Sequence, residues 1–197
     1  MSGHFEALPD GGAAVLLDEV EISILRSLAV QLLELIGPGD APAQGEDPLA
    51  ALFAEGPSEP PADPALARLF PNAYSDEDEE LRAASAEFRR FTELDLRSRK
   101  REDALAVVRS LDGLTVEERG AGEAGATLRL SGEDSRRWLG ALNDLRLTIG
   151  ARLEVADEDE SEDLYRLPDS DPRKPMVMAY LWLGALQETL VETLMGR

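Results

Sequence analysis

The chain of 197 residues contains no cysteine and one histidine, His4. Disulfides, thiolate zinc sites, iron–sulfur clusters and cysteine nucleophiles are therefore excluded. A Ser-His-Asp triad or a histidine-based metal site would rest on one residue near the start of the chain. Aromatic residues make up 5% of the sequence, so aliphatic side chains must build the core. Lysine is nearly absent: the basic side chains are 18 Arg and two Lys, Lys100 and Lys174. No run approaches the roughly 18 apolar residues of a membrane span. The start, Met1-Ser2-Gly3-His4-Phe5-Glu6, lacks the basic and apolar regions of a secretory signal. These absences predict a cytoplasmic protein that neither crosses a membrane nor carries a resident cofactor or metal.

What is abundant is acid. Forty Asp and Glu against 20 Lys and Arg give a formal charge of −20. Residues 1–74 and 152–171 hold −17 of it. Most of the surplus therefore lies in connecting segments, and it disfavours nucleic acid, whose phosphates need a basic face. With 43% hydrophobic residues, a single domain over 1–197 can bury a real core.

Patterning predicts a mainly α fold with a small β contribution: a bundle of about four main helices and two short β-hairpins. Residues 4–17 read as a hairpin turning at Asp10-Gly11-Gly12. Asp18 caps a helix whose apolar positions Leu25, Leu28, Leu32 and Leu35 recur at helical spacing until Gly37-Pro38-Gly39. Residues 37–63 read as a flexible Pro- and acid-rich linker, and Asp63-Pro64 opens a short helix through Phe70. Ser75 with Asp78 resembles a capping box. It starts the longest helical pattern, 76–111, on which Leu81, Ala84, Phe88, Phe91 and Leu94 share the expected core face; a break near 97–103 is the alternative. Leu114–Glu118 and Ala126–Leu130 read as a second hairpin, which could share a sheet with the first. Ser131 and Asp134 open a helix striped by Trp138, Leu142, Leu145 and Ile149. Residues 156–171 form an acidic loop. The last helix runs from about Pro172 to Leu194, striped by Met176, Tyr180, Leu183, Leu190 and Leu194.

Several clusters are chemically suggestive. Asp157–Asp163 offers oxygen ligands for calcium, but the EF-hand positions that need Gly and Glu hold Glu162 and Pro168. Asp76–Glu80 is accounted for by the positive end of a helix dipole. Arg97, Arg99, Lys100 and Arg101, with Arg89 and Arg90, could receive an acidic peptide or pair internally with Glu93, Glu102 and Asp103. Asn143, Asp144 and Arg146 lie within an apolar helix, where polar side chains imply a buried network or a binding site. Gln187 and Glu188, with Glu192 one turn on, are similar. An enzyme or metal-dependent factor would bring Asn143, Asp144, Glu188 and Glu192 into one pocket.

The strings Leu69-Phe70-Pro71-Asn72-Ala73-Tyr74, Glu87-Phe88-Arg89-Arg90, Trp138–Leu153 and Leu181–Val191 resemble an uncharacterised family, a domain of unknown function. Its members are acidic proteins of high-GC Gram-positive bacteria. Its genes sit beside the ClpS protease adaptor and near a sulfur-carrier, metalloprotease and cysteine-synthase cluster. The resemblance implies a neighbourhood and supplies no catalytic residues. The sequence is thus read as a non-enzymatic interaction or regulatory protein, an accessory to Clp-dependent proteolysis. Its partner would be a protein of unidentified kind, and the last helix could also serve a homo-oligomer. The alternative is a metal-dependent enzyme or accessory factor of the sulfur-carrier and cysteine-synthesis cluster.

Overall fold

A computed structural model describes residues 3–38, 56–114, 125–155 and 166–196. Among these, two strands, β1 (Glu6–Ala7) and β2 (Ala13–Asp18), lead into α1 (Glu19–Ile36). Helices α2 (Pro64–Leu69) and α3 (Glu79–Asp112) follow, then β3 (Gly125–Leu130), α4 (Gly132–Arg152) and α5 (Lys174–Met195). The fold is mainly α with a small antiparallel sheet.

The first hairpin forms as expected, with Glu6 opposite Ala14 and Ala7 opposite Ala13. Gly11 makes the turn at φ +82°, a conformation that costs other residues about 1–2 kcal/mol. The outgoing arm expected of the second hairpin, residues 115–118, lies outside the described residues. Its return strand, β3, pairs with β2 from Ala13–Leu130 to Asp18–Gly125, giving one sheet of order β1-β2-β3. Ala13, Val15 and Leu17 alternate inward, beside inward Ala126, Leu128 and Leu130, as a half-covered sheet requires.

Helix starts follow local chemistry. Asp18 Oδ1 accepts from the Glu21 amide at 2.7 Å, and the Asp18 amide donates to Glu21 Oε2 at 2.9 Å. Ser131 caps α4 by accepting from the Asp134 amide. Asp63 accepts from the Ala65 and Leu66 amides at α2. For α3 the cap is Asp78 itself, accepting from the Leu81 amide at 2.8 Å, rather than a Ser75 box. The helix then runs unbroken for 34 residues, about 51 Å.

The core lies between the sheet and helices α1, α3, α4 and α5. Trp138, Leu142, Leu145 and Ile149 are buried as the α4 spacing requires. Trp138 Nε1–H donates to Ser110 Oγ, and its ring meets Phe5 edge-on at 6.1 Å. Two expected stripes are corrected. On α5 Leu183 and Leu190 are buried as expected and Tyr180 and Leu194 pack partly buried against the core, but Val177, Trp182 and Leu186 complete the buried set and Met176 is exposed. On the first half of α3 the buried residues are Ser85, Arg89 and Glu93, and Phe88 and Phe91 are 50% and 66% exposed. The helix is rotated so that its charged stripe faces inward. Of the expected linker and acidic loop, residues 39–55 and 156–165 lie outside the described residues, including the calcium-like run.

Candidate functional site

The inward stripe of α3 places Arg89, Glu93, Arg97 and Arg101 one turn apart on one face. Glu93 sits between two guanidinium groups. Oε2 accepts from Arg89 Nη1, and Oε1 accepts from Arg97 Nε at 2.9 Å and Nη2 at 2.7 Å. Arg89 Nη2 also donates to the Phe70 carbonyl (3.0 Å) and Asn72 Oδ1 (2.8 Å), holding the segment after α2. Arg97 lies over the Phe70 ring at 4.3 Å and donates to the Ile36 carbonyl at 2.8 Å. Arg101 Nη1 donates to the carbonyls of Leu33 and Gly37. The Ile36 carbonyl and that of the cap residue Gly37 lie where a helix leaves carbonyls without intrahelical partners, the Leu33 carbonyl also accepts the Gly37 amide at 3.1 Å, and cations there oppose the dipole. Arg97 and Arg101 thus finish α1 from another helix.

Lys100 points to α4, where its Nζ donates to Asp144 Oδ1 at 2.6 Å in a buried setting. Burial pushes the Asp144 carboxyl above the usual carboxylate range, and Lys100 opposes that shift. Asp103, also on α3, is pushed up by burial and then by the Asp144 charge, with Arg99 opposing. It approaches α4 at Gly140, where a Cβ would lie 2.5 Å from Asp103 Oδ2. Arg99 is exposed and Arg90 half-buried, with the Arg90 guanidinium 5.6 Å from the Phe91 ring.

A second polar cluster joins α4 to α5. Arg146 Nη1 donates to Gln187 Oε1 at 2.7 Å, and its guanidinium lies 5.3 Å from the Tyr180 ring. Gln187 Nε2 donates to Asn143 Oδ1 at 3.5 Å. A cleft of about 660 Å³ opens here, lined by Arg146, Tyr180, Gly184, Gln187, Glu188 and Glu192. The four residues the enzyme reading needs together are divided: Glu188 and Glu192 border this cleft, Asn143 touches its edge through Gln187, and Asp144 faces Lys100 on the opposite side. Among the described residues, no three or more His, Asp or Glu side chains are grouped so as to hold a metal ion.

The structure also shows features that periodicity did not signal. A cavity of about 660 Å³ between α1, α4 and α5 is walled by Leu28, Leu32, Leu35, Leu145, Met176 and Ala179. The outward Phe88 borders a smaller groove of about 220 Å³ with Phe70, Pro71 and Leu96. Hydrophobicity alone marks the aromatic stripe of α3 as the inward one, because the acceptors that turn the ionic stripe inward lie on α1 and after α2.

Residues 2–194 match a family described as Domain of unknown function (DUF2017). The chain belongs to that family. It is similar to the protein named "Oxidative stress regulator AosR" in Mycobacterium tuberculosis, at 30% identity over 187 residues, covering 89% of this chain and 79% of the relative. The protein of the same name in Mycobacterium bovis matches to the same extent. No solved structure matches the chain significantly. Among the described residues, no helix is long and apolar enough to cross a membrane.

Proposed function

We propose that this protein is a regulator that acts by contacting another protein in the response to oxidative stress. The observation that carries the reading is the match to relatives named as oxidative stress regulators over most of both chains. The chemistry of the described residues supports it. Arg89, Glu93, Arg97, Lys100, Arg101 and Asp144 are engaged in joining helices, which suits a folded platform more than a reaction centre. The chain has no thiol, so its own cysteine oxidation is not the signal.

Deletion of the gene in its host, followed by peroxide challenge and transcript profiling, tests the proposal. Reduced survival with a displaced stress transcriptome, restored by the wild-type gene, is expected. Wild-type survival and transcripts would overturn it. A narrower form ties the contact to Clp-dependent proteolysis, supported by the gene neighbourhood that the family resemblance implies. Unchanged lifetimes of Clp substrates in the deletion strain would remove that form and leave the broader one.

A further inference from the structure

We propose that Arg68 and Arg146 form a binding site for a phosphate-sized dianion, either inorganic phosphate or the phosphoryl group of a small phosphomonoester. The site lies apart from the α3 network and does not depend on the regulatory reading. Arg68, in the last turn of α2, and Arg146, on α4, line one cavity of about 130 Å³ with Asn143, Leu147, Val155 and Tyr180. Helix α2 packs on α4, so the fold itself brings the two guanidinium groups to one place. Arg146 is held by neutral groups. Its Nη1 donates to Gln187 Oε1 at 2.7 Å, and its guanidinium lies 5.3 Å from the Tyr180 ring. Gly184 leaves room for it on α5, where a Cβ would lie 3.5 Å from Nε. That Nε is buried and has no hydrogen-bond partner. A guanidinium carries five N–H donors, and buried donors left unused call for an acceptor. Arg68 is exposed and has no hydrogen bond or ion pair among the described residues.

Charge and size select the ligand. Among the described residues, no Asp or Glu lines this cavity. The nearby acids are bound elsewhere or set back. Asp63 is bound to Arg152 at 2.7 Å and Asp144 to Lys100 at 2.6 Å. Glu188 and Glu192 border the adjoining cleft, which shares Arg146 and Tyr180 with the cavity. Glu154, next to Val155 in the chain, is exposed and outside the lining. Two guanidinium charges therefore face one cavity in a chain of net charge −20. A carboxylate would balance one of them. A phosphate group carries about −1.5 to −2 at neutral pH and presents three oxygens to fork-shaped donors. The cavity has room for about four waters, which suits a phosphate group and is too small for a base with its sugar. Nucleic acid, a chain of monoanionic phosphates, would also meet Glu188 and Glu192 beside the cavity.

Calorimetric titration of the full chain with inorganic phosphate and with glycerol phosphate, at a constant ionic strength of roughly 0.15 M, tests the site. Saturable binding with a Kd at or below about 1 mM is expected, and acetate at the same concentration should not compete. Equal affinities assign the site to the bare phosphate group. Tighter glycerol phosphate assigns it to a phosphomonoester whose organic part lies in the adjoining cleft. Arg68→Gln should weaken binding by about tenfold or more, with the melting temperature unchanged because Arg68 is exposed and unbonded. Arg68→Lys should recover part of the loss, since a point charge replaces a fork. Arg129→Gln removes an exposed cation outside the cavity and should leave binding unchanged. No saturable binding up to roughly 10 mM phosphate overturns the proposal. So does wild-type binding by Arg68→Gln, or an equal loss in Arg129→Gln, because overall charge alone would then govern binding. So does binding that appears only when Asp157, Asp159 and Asp163 are changed to Asn, because the chain's own carboxylates would then neutralise the pair.

Discussion

Replacing Glu93 by Gln should destabilise the protein more than a surface charge change could. Glu93 is 3% exposed and Arg89 5% exposed, and the carboxylate is shared by Arg89 and Arg97. Glutamine preserves the shape and one oxygen acceptor. It removes the counter-charge from two guanidinium groups and turns an NH2 donor towards N–H donors. Removing one partner of a buried pair costs about 3–5 kcal/mol, since the remaining charge stays desolvated. Arg97 is partly accessible, which places the expectation near the lower end, about 3 kcal/mol. That is a large part of the roughly 5–15 kcal/mol of a typical domain. In urea, with a slope of about 2 kcal/mol per molar, the midpoint should fall by about 1.5 M with little change in slope. Removing both charges, Arg89→Met with Glu93→Leu, should recover part of the loss. The recovery is incomplete because the Phe70 carbonyl and Asn72 lose their donor. A loss for Glu93→Gln below about 1 kcal/mol, the size typical of an exposed pair, would refute the claim that the triad is dry and holds α3 in place.

Three further outcomes follow from the same geometry. Arg101→Met should lower stability by about 1–3 kcal/mol by removing the donor to the Gly37 carbonyl and the second donor to the Leu33 carbonyl, with faster amide exchange over residues 33–38; unchanged exchange there would contradict the cross-helix cap. Gly12→Ala should cost about 1–3 kcal/mol, because its Cβ would lie 2.2 Å from the Leu130 carbonyl oxygen, and thermal melting comparable to wild type would contradict that contact. The Asp103 carboxyl is held above the usual range by burial and then by Asp144, so the folded state favours its protonated form. That contribution is complete below the unfolded value, near about 4, and is lost as pH rises through the folded value. Asp103→Asn should therefore gain stability relative to wild type as pH climbs from about 4 to about 7, and parallel stability–pH curves would contradict this.

The elements themselves were legible in the sequence because their signals are local. Asp18 with Glu21, Asp63 before Pro64, and Ser131 before Asp134 each satisfy helix amides within three residues. The Asp10-Gly11-Gly12 turn set the first hairpin, and the Trp138, Leu142, Leu145, Ile149 spacing set the buried face of α4. The basic cluster was visible as a cluster, with internal pairing as one of its readings, but its partners were not. Arg97 and Arg101 bond to carbonyls 61 to 68 residues away, and Lys100 reaches an aspartate 44 residues on. Membership of the family was also readable from strings of residues, because shared ancestry is written in sequence.

Tertiary structure alone decided which way α3 faces. Its first half carries an aromatic stripe and an ionic stripe, and hydrophobicity by itself sends Phe88 and Phe91 inward. Phe91 and Glu93 lie two residues apart, about 160° round the helix, so both cannot be buried on one side. The end of α1 and the segment after α2 present carbonyls that need donors, and a guanidinium offers five. Leaving such acceptors buried and unpaired costs more than leaving two rings half in water. The sequence by itself determined the helices, the hairpin and the charge, whereas the position of those carbonyls determined which α3 residues became framework and which stayed exposed.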